Sequence, residues 1–190
     1  MDVSISISAL SAGDFSDLLT LADALFGHGY LNKSELQSYL ESPNKTGLIA
    51  RSNDVFVGFL FMQSCDLDAM MSLAQSEQTW FKEQFENNLP IGVLKTIGVR
   101  ETFKNRGIGT ALTLKSIGML GRTSRYIISI CWDQKEDTPF SRVLEKCGMK
   151  MISRIAEFWS VDSLNKNYKC HICGSPPCRC DGLIYQCMLR

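Results

Sequence analysis

The sequence predicts one α/β domain, more closely α+β: a mixed sheet with helices packed on both faces. Three observations carry that reading. Val93 to Val99 is an apolar run, Ala111 to Leu120 is an apolar-periodic segment behind a glycine-bearing turn, and Tyr126 to Trp132 is a second apolar run. Strand, helix and strand in that order make a β-α-β unit. Ahead of it, two further apolar runs flank Ser52-Asn53-Asp54, which has the composition of a hairpin turn. At 190 residues the chain is long enough for one well-buried domain and too short for two ordinary ones.

The elements follow in order. Val3 to Ile7 alternates apolar and polar residues, as a half-buried strand does. Asp14 is positioned to cap a helix over Phe15 to Phe26, where Leu18, Leu19, Ala22 and Leu25 share one side. Gly27-His28-Gly29 ends that helix. Ser34, with Gln37 three residues on, has capping-box spacing for a second helix that stops before Pro43. Gly47 to Arg51 and Val55 to Gln63 are the two strands of the hairpin. Leu67 to Asn88 is mostly polar with a helical stripe of Met70, Met71, Leu73, Ala74, Trp80, Phe81 and Phe85, which reads as one or two helices inserted before Pro90. After the β-α-β unit, Thr138 or Ser141 starts a helix closed by Gly148. Lys150 to Val161 alternates as a strand, and Leu183 to Leu189 is the last one.

Charge is balanced, with 20 basic and 20 acidic side chains. That argues against a broad nucleic-acid or membrane surface, since both normally need a basic excess. No apolar run approaches the roughly 20 residues that span a bilayer. Met1-Asp2-Val3-Ser4 lacks a basic n-region, so the expectation is a cytoplasmic protein without a signal peptide. Of the eight cysteines, Cys65, Cys131, Cys147 and Cys187 stand singly among apolar residues and read as small buried side chains. Cys170, Cys173, Cys178 and Cys180 instead crowd into one short stretch with C-x2-C-x4-C-x-C spacing. In a reducing compartment such a cluster points to a metal more than to a disulfide framework. Four thiolates suit tetrahedral zinc, with Gly174 and Pro176-Pro177 supplying the reversal between the pairs. A closed four-sulfur site has no open position for substrate, so its expected role is structural, stapling residues 166–182 between the last two strands. A redox-sensitive thiol cluster is the alternative.

The most telling stretch is Lys104-Asn105-Arg106-Gly107-Ile108-Gly109-Thr110, between the strand ending at Val99 and the helix that follows. The first N–H groups of a helix have no internal partner and carry a partial positive charge, which suits a phosphate. The glycines let the backbone approach an anion, while Lys104 and Arg106 add full charges. The stretch does not fit a Walker loop, and it lacks the third glycine of the dinucleotide fingerprint. It resembles the coenzyme A pyrophosphate loop of the GNAT superfamily of acyl-CoA N-acyltransferases, Arg/Gln-x-x-Gly-x-Gly/Ala, with Lys104 where Arg or Gln is usual. Pro139 to Met149 is similar to that family's second signature, a helix ending in Gly-Phe, with Met149 in place of the Phe. The element order matches the family over nearly the whole chain.

That resemblance implies a strongly twisted sheet whose strands Leu94–Val99 and Tyr126–Trp132 splay apart around acetyl-CoA. Ile97, Gly98 and Val99 would offer main-chain contacts to the pantetheine arm, and Lys104, Asn105, Arg106, Gly107, Ile108, Gly109 and Thr110 would hold the diphosphate. It implies an N-acetyltransferase that moves acetyl from acetyl-CoA to a primary amine, of a small molecule or a protein, by direct attack. Many members place a Glu on the strand before the loop. Here Lys95 and Thr96 are the only polar side chains of that strand, so Glu101 at its mouth and Asp133 after the second strand are the candidate bases. Leu144 stands where many members carry the tyrosine that protonates the leaving thiolate, leaving His28, Cys147 and Tyr185 as other candidates. The missing tyrosine and carboxylate also suggest the alternative of a catalytically silent acyl-CoA-binding sensor or interaction module. The family's loop between the first two helices lines the acceptor side, which gives Tyr30 a pocket to shape. Unpaired sheet edges allow a homodimer.

Overall fold

The structure, a computed structural model, describes residues 4–133 and 139–189. Val3, expected to open the first strand, and Thr138, one of two proposed helix starts, lie outside the described residues. Seven strands form one sheet in the order β1-β2-β3-β4-β5-β7-β6, where β1 is Ile5–Ala9, β2 Lys45–Ser52, β3 Val55–Cys65, β4 Ile91–Val99, β5 Tyr126–Trp132, β6 Lys150–Ile155 and β7 Gly182–Met188. All neighbours are antiparallel except β4 and β5. The helices are α1 (Phe15–Phe26), α2 (Lys33–Glu41), α3 (Leu67–Ala74), α4 (Gln78–Phe85), α5 (Ile108–Leu120), α6 (Pro139–Lys146) and α7 (Ser160–Lys166). The mixed sheet and the β-α-β unit are as the sequence predicts.

Both faces of the sheet are covered. On one, Leu94, Leu60 and Ile127 pack with Ile108 and Leu112 of α5 and Leu144 of α6. On the other, Phe59 and Phe61 meet Leu18, Leu21 and Leu36 of α1 and α2, while Val93 and Ile128 meet Met70, Phe81 and Phe85 of α3 and α4. Burying one such side chain contributes about 1.5–3 kcal/mol, so these two layers dominate the fold's stability. The β2–β3 turn holds Asn53 and Asp54 at φ 47° and 65°, the left-handed pair that a two-residue hairpin requires.

Local chemistry departs from the sequence reading in three places. Asp14 sits at the start of α1 without capping it; its carboxylate accepts from the Ser11 N–H and Oγ and pairs with Arg51, closing a 3-10 turn instead. The α2 cap is Asn32, whose Oδ1 accepts from the Glu35 N–H at 2.9 Å, two residues before the predicted Ser34. Leu67 to Asn88 forms two helices, α3 and α4, within the expected one or two, with Asp66 capping α3. Finally, β6 ends at Ile155: a turn with Glu157 at φ 50° redirects the chain into α7. The strand expected over Lys150 to Val161 therefore overruns the turn, and α7 is not foreseen.

Candidate functional site

The centre of the molecule is the fork between β4 and β5. These strands pair only at Gly92↔Ile127, Val93↔Ile128 and Leu94↔Ser129. Beyond that point β4 still follows β3 to Val99, and β5 still follows β7 to Trp132, so the two strands have separated. The Ser129 hydroxyl donates to the Leu94 carbonyl at 3.0 Å and closes the vertex. Above it, the β5-facing backbone of Lys95 to Val99 has no strand partner among the described residues. Such an edge can accept an extended ligand as a strand would.

A β-bulge lies at the fork. Leu94 pairs with Met62 and Thr96 with Phe61, so Lys95 is the extra residue. Leu94 and Ile97 both belong to the α5-side core, whereas Lys95 and Thr96 between them both line a cavity reaching α2 and α7.

Two cavities meet at this point. The first, of about 460 Å³, runs between Leu25 and Phe26 of α1, the edge Lys95–Val99, the loop residues Lys104 and Asn105, and Arg142 and Lys146 of α6. The second, of about 390 Å³, is bounded by Glu35, Tyr39, Lys45, Ser72, Gln75, Asp162 and Lys166. Tyr30, Lys95, Thr96, Ile130 and Trp159 line both.

At the mouth of the first cavity α5 begins. Gly107 caps it at φ 78°, with open space where a Cβ would stand. The first helical bond runs from the Ala111 N–H to the Gly107 carbonyl at 2.9 Å. The amides of Asn105 to Thr110 donate to no group among the described residues. Lys104 pairs with Glu101 at 2.5 Å, and the Arg106 guanidinium stacks 5.0 Å from the Phe103 ring. Ile108 turns into the core. Six unpaired amides at the positive end of a 13-residue helix, with cations beside them, can chelate a phosphate.

The acid-base candidates sort differently. Glu101 is exposed and lines neither cavity; Asp133 is buried beside Arg154 at 2.6 Å and likewise lines neither. Leu144 is wholly buried in the α5-side core. His28 is 93 % exposed beside Asp23, Tyr185 donates to the exposed Glu145 at 3.1 Å, and Cys147 contacts the Thr110 carbonyl. None of these reaches the fork.

Other residues do. Tyr30 lines both cavities with Thr96, its ring meets Tyr168 edge-on at 5.3 Å, and the Lys166 ammonium lies 5.5 Å above it. Burial pushes the Tyr30 pKa up despite Lys166, so its hydroxyl stays protonated. Burial opposes the Lys166 charge, yet Asp162 at 3.4 Å and Glu35 at 3.6 Å hold its pKa above the ordinary value. Tyr30 was legible only as a glycine-flanked aromatic in the α1–α2 loop. Lys95 showed as one of two adjacent polar residues in an apolar strand, the only trace a bulge leaves in sequence.

The four clustered cysteines converge. All four sulfurs lie within 4.8 Å of one another. The closest pairs are 3.4 Å (Cys173–Cys180) and 3.9 Å (Cys170–Cys180 and Cys173–Cys178). Four sulfurs at about 2.3 Å from a tetrahedral ion stand about 3.8 Å apart, so the spacing fits. The Ile172 and Cys173 N–H groups donate to the Cys170 sulfur and that of Arg179 to the Cys173 sulfur, each at 3.3 Å, which suits thiolates. The cluster packs on Trp132 and Trp159. The Cys178 N–H donates to the Ser163 hydroxyl of α7 at 2.8 Å. The segment leading into the cluster passes Gly27 so closely that a Cβ there would meet the Lys169 carbonyl at 1.9 Å.

This architecture, with its forked parallel pair and an anion-ready helix at the fork, is the GNAT fold. No protein-family model matches the sequence, and no curated protein matches it. Among solved structures, an Arabidopsis thaliana NAA60 in complex with acetyl-CoA is similar at a TM-score of 0.71 and 13 % identity, covering 98 % of this chain and 100 % of that one. The ribosomal-protein-S18-alanine N-acetyltransferase of Escherichia coli is similar at 0.64 and 14 % identity, over 98 % and 94 %. An acetyltransferase of the GNAT family from Streptococcus pneumoniae is similar at 0.63 and 15 % identity, over 98 % and 100 %. Identities this low speak to the fold alone.

Proposed function

We propose that this chain is a GNAT-type N-acetyltransferase that moves an acetyl group from acetyl-CoA to a primary amine by direct attack in a ternary complex. The observation that carries the reading is the β4–β5 fork joining two cavities, with unpaired α5 amides at one mouth. The diphosphate lies against the amides of Arg106 to Thr110, with Lys104 and Asn105 at its flank. The pantetheine arm pairs with the free edge at Ile97, Gly98 and Val99 and points its thioester at the vertex. The acceptor amine comes from the second cavity, so attack occurs where Tyr30, Lys95 and Thr96 meet. A backbone N–H of the free edge stabilises the oxyanion. Tyr30, kept protonated by burial, supplies the proton for the leaving thiolate, the role that Leu144 is unable to fill.

The four cysteines hold a structural zinc ion. Its contacts with Trp132, Trp159 and α7 fix the wall of the acceptor cavity, and thiolates of this kind suit a reducing compartment such as the cytoplasm. Among the described residues no helix is long and apolar enough to cross a membrane. Calorimetry with coenzyme A and a thiol-release assay with acetyl-CoA and a panel of amines test the reading. Stoichiometric binding with amine-dependent thiol release is expected. Absence of coenzyme A binding overturns it, and binding without thiol release for any amine indicates a silent acyl-CoA binder.

A further inference from the structure

We propose that Lys95, as the free amine, is the base that deprotonates the acceptor ammonium. This rests on the acetyltransferase reading and adds a residue to it. The bulge carries the argument. A regular strand would alternate, and a residue after Leu94 would be one of a single file on its face. The extra residue sets Lys95 beside Thr96 on the acceptor side, at the one level where the two cavities join. An amine entering from the second cavity passes this side chain before it reaches a thioester at the vertex.

The surroundings separate Lys95 from a structural lysine. Among the described residues it makes no hydrogen bond or ion pair, while the two carboxylates nearest it are taken by Lys166. Seven titratable groups among the described residues face it or the second cavity: Lys166 and Asp162 from α7, Glu35 and Tyr39 from α2, Cys65 from β3, Lys45 from β2 and Tyr30 from the α1–α2 loop. Lys45 is engaged with the Ser38 hydroxyl at 3.0 Å. Burial, then the Lys166 charge, lowers the Lys95 pKa, against the smaller raising effects of Glu35, Asp162 and Cys65. A lysine whose charged form is disfavoured in a partly dry cleft gives up its proton more readily than an exposed one and can serve as a proton acceptor.

The protons balance. Lys95 takes one from the acceptor ammonium, whose freed lone pair forms the N–C bond to the thioester carbonyl. Collapse of the tetrahedral intermediate breaks the C–S bond. The second amine proton passes to the coenzyme A thiolate by way of the Tyr30 hydroxyl. Lys95 then returns its proton to solvent, so one proton is released per acetyl transferred. Only the neutral form works, so the rate rises with pH through the Lys95 pKa in the folded protein.

Two readouts test this on the full chain. With lysine labelled by 13C at Cε, the resonance lost in Lys95→Arg identifies Lys95, and its titration reports protonation without any acceptor. A midpoint well below the other lysines is expected; a midpoint among them overturns the proposal. With a panel of primary amines and acetyl-CoA, Lys95→Arg should lose at least 100-fold in kcat/KM at neutral pH and lose the acidic limb of the profile. Methylamine should partly rescue Lys95→Ala. An unaltered limb in Lys95→Arg, or an acetyl group on Lys95 itself as a turnover intermediate, overturns it. Coenzyme A calorimetry on the wild-type protein separates the readings: failure there removes the acetyltransferase, while the titration midpoint still decides whether Lys95 is held as a free amine.

Discussion

Gly107 and Gly109 look alike in sequence, and the structure assigns them opposite sensitivities. At Gly107 the backbone is left-handed, φ 78°, and a Cβ would meet nothing within 4 Å. Gly107→Ala therefore costs conformational energy alone, about 1–2 kcal/mol for a non-glycine residue in that region. For a chain of this size that is a fall in Tm of about 2–8 °C, at about 2–4 °C per kcal/mol. The open space is where the diphosphate would approach, so affinity for coenzyme A should fall by more than about tenfold, or 1.4 kcal/mol. Gly109 lies inside the first turn of α5, where an added Cβ would sit 3.6 Å from Val143 and 3.7 Å from Ile97, ordinary contact distances. Gly109→Ala should stabilise the protein by about 0.5–1 kcal/mol through helix propensity. Its coenzyme A affinity should stay within about threefold, below 0.7 kcal/mol. Thermal melts and calorimetry on both variants read the four quantities. Equal coenzyme A affinity in wild type and Gly107→Ala would refute the reasoning, because the amide cradle would then have no part in binding.

Three further outcomes are expected. Free zinc at 100 times its Kd should stabilise the chelator-treated protein by about 2.7 kcal/mol, an increase in Tm of about 5–11 °C, and the purified protein should carry one zinc per chain by elemental analysis; Cys180→Ser should abolish both. Lys95→Met removes an amine whose protonated form is desolvated and should raise stability by about 1 kcal/mol below the Lys95 pKa while stopping turnover, and the lowered Lys95 pKa requires wild-type stability to gain relative to this variant as pH rises through that pKa. Asp14→Ala leaves Arg51 and the Ser11 groups without their shared acceptor and should cost about 2–4 kcal/mol in denaturant melts.

Much of this molecule was legible because local signals agreed with tertiary need. The glycine loop before α5, the Asn53-Asp54 hairpin and the β-α-β order each follow from backbone requirements that few residues satisfy. What stayed hidden depends on partners far away in sequence. Lys95 reaches the cavity through a one-residue slip against β3, and the adjacent polar pair Lys95-Thr96 is its only trace inside β4. Asp14 has the residue type and position of a cap, but Arg51 on β2 draws its carboxylate elsewhere. The α7 helix is only seven residues long, and the strand expected over Lys150 to Val161 overruns both the turn at Glu157 and the first two residues of that helix. Glu101 and Asp133 were nominated by their place beside the strands. The structure turns one to solvent and ties the other to Arg154, leaving the fork to Lys95, Thr96 and Tyr30.

The most direct measurement is a titration of the 15N-labelled protein with acetyl-CoA, following the backbone amides of Arg106 to Thr110. The account predicts large downfield proton shifts at these residues, saturating at one equivalent. Those shifts should be matched by 3'-dephospho-coenzyme A, which keeps the diphosphate, and be absent with pantetheine, which lacks it. Saturable binding that leaves these amides unmoved would contradict the central claim.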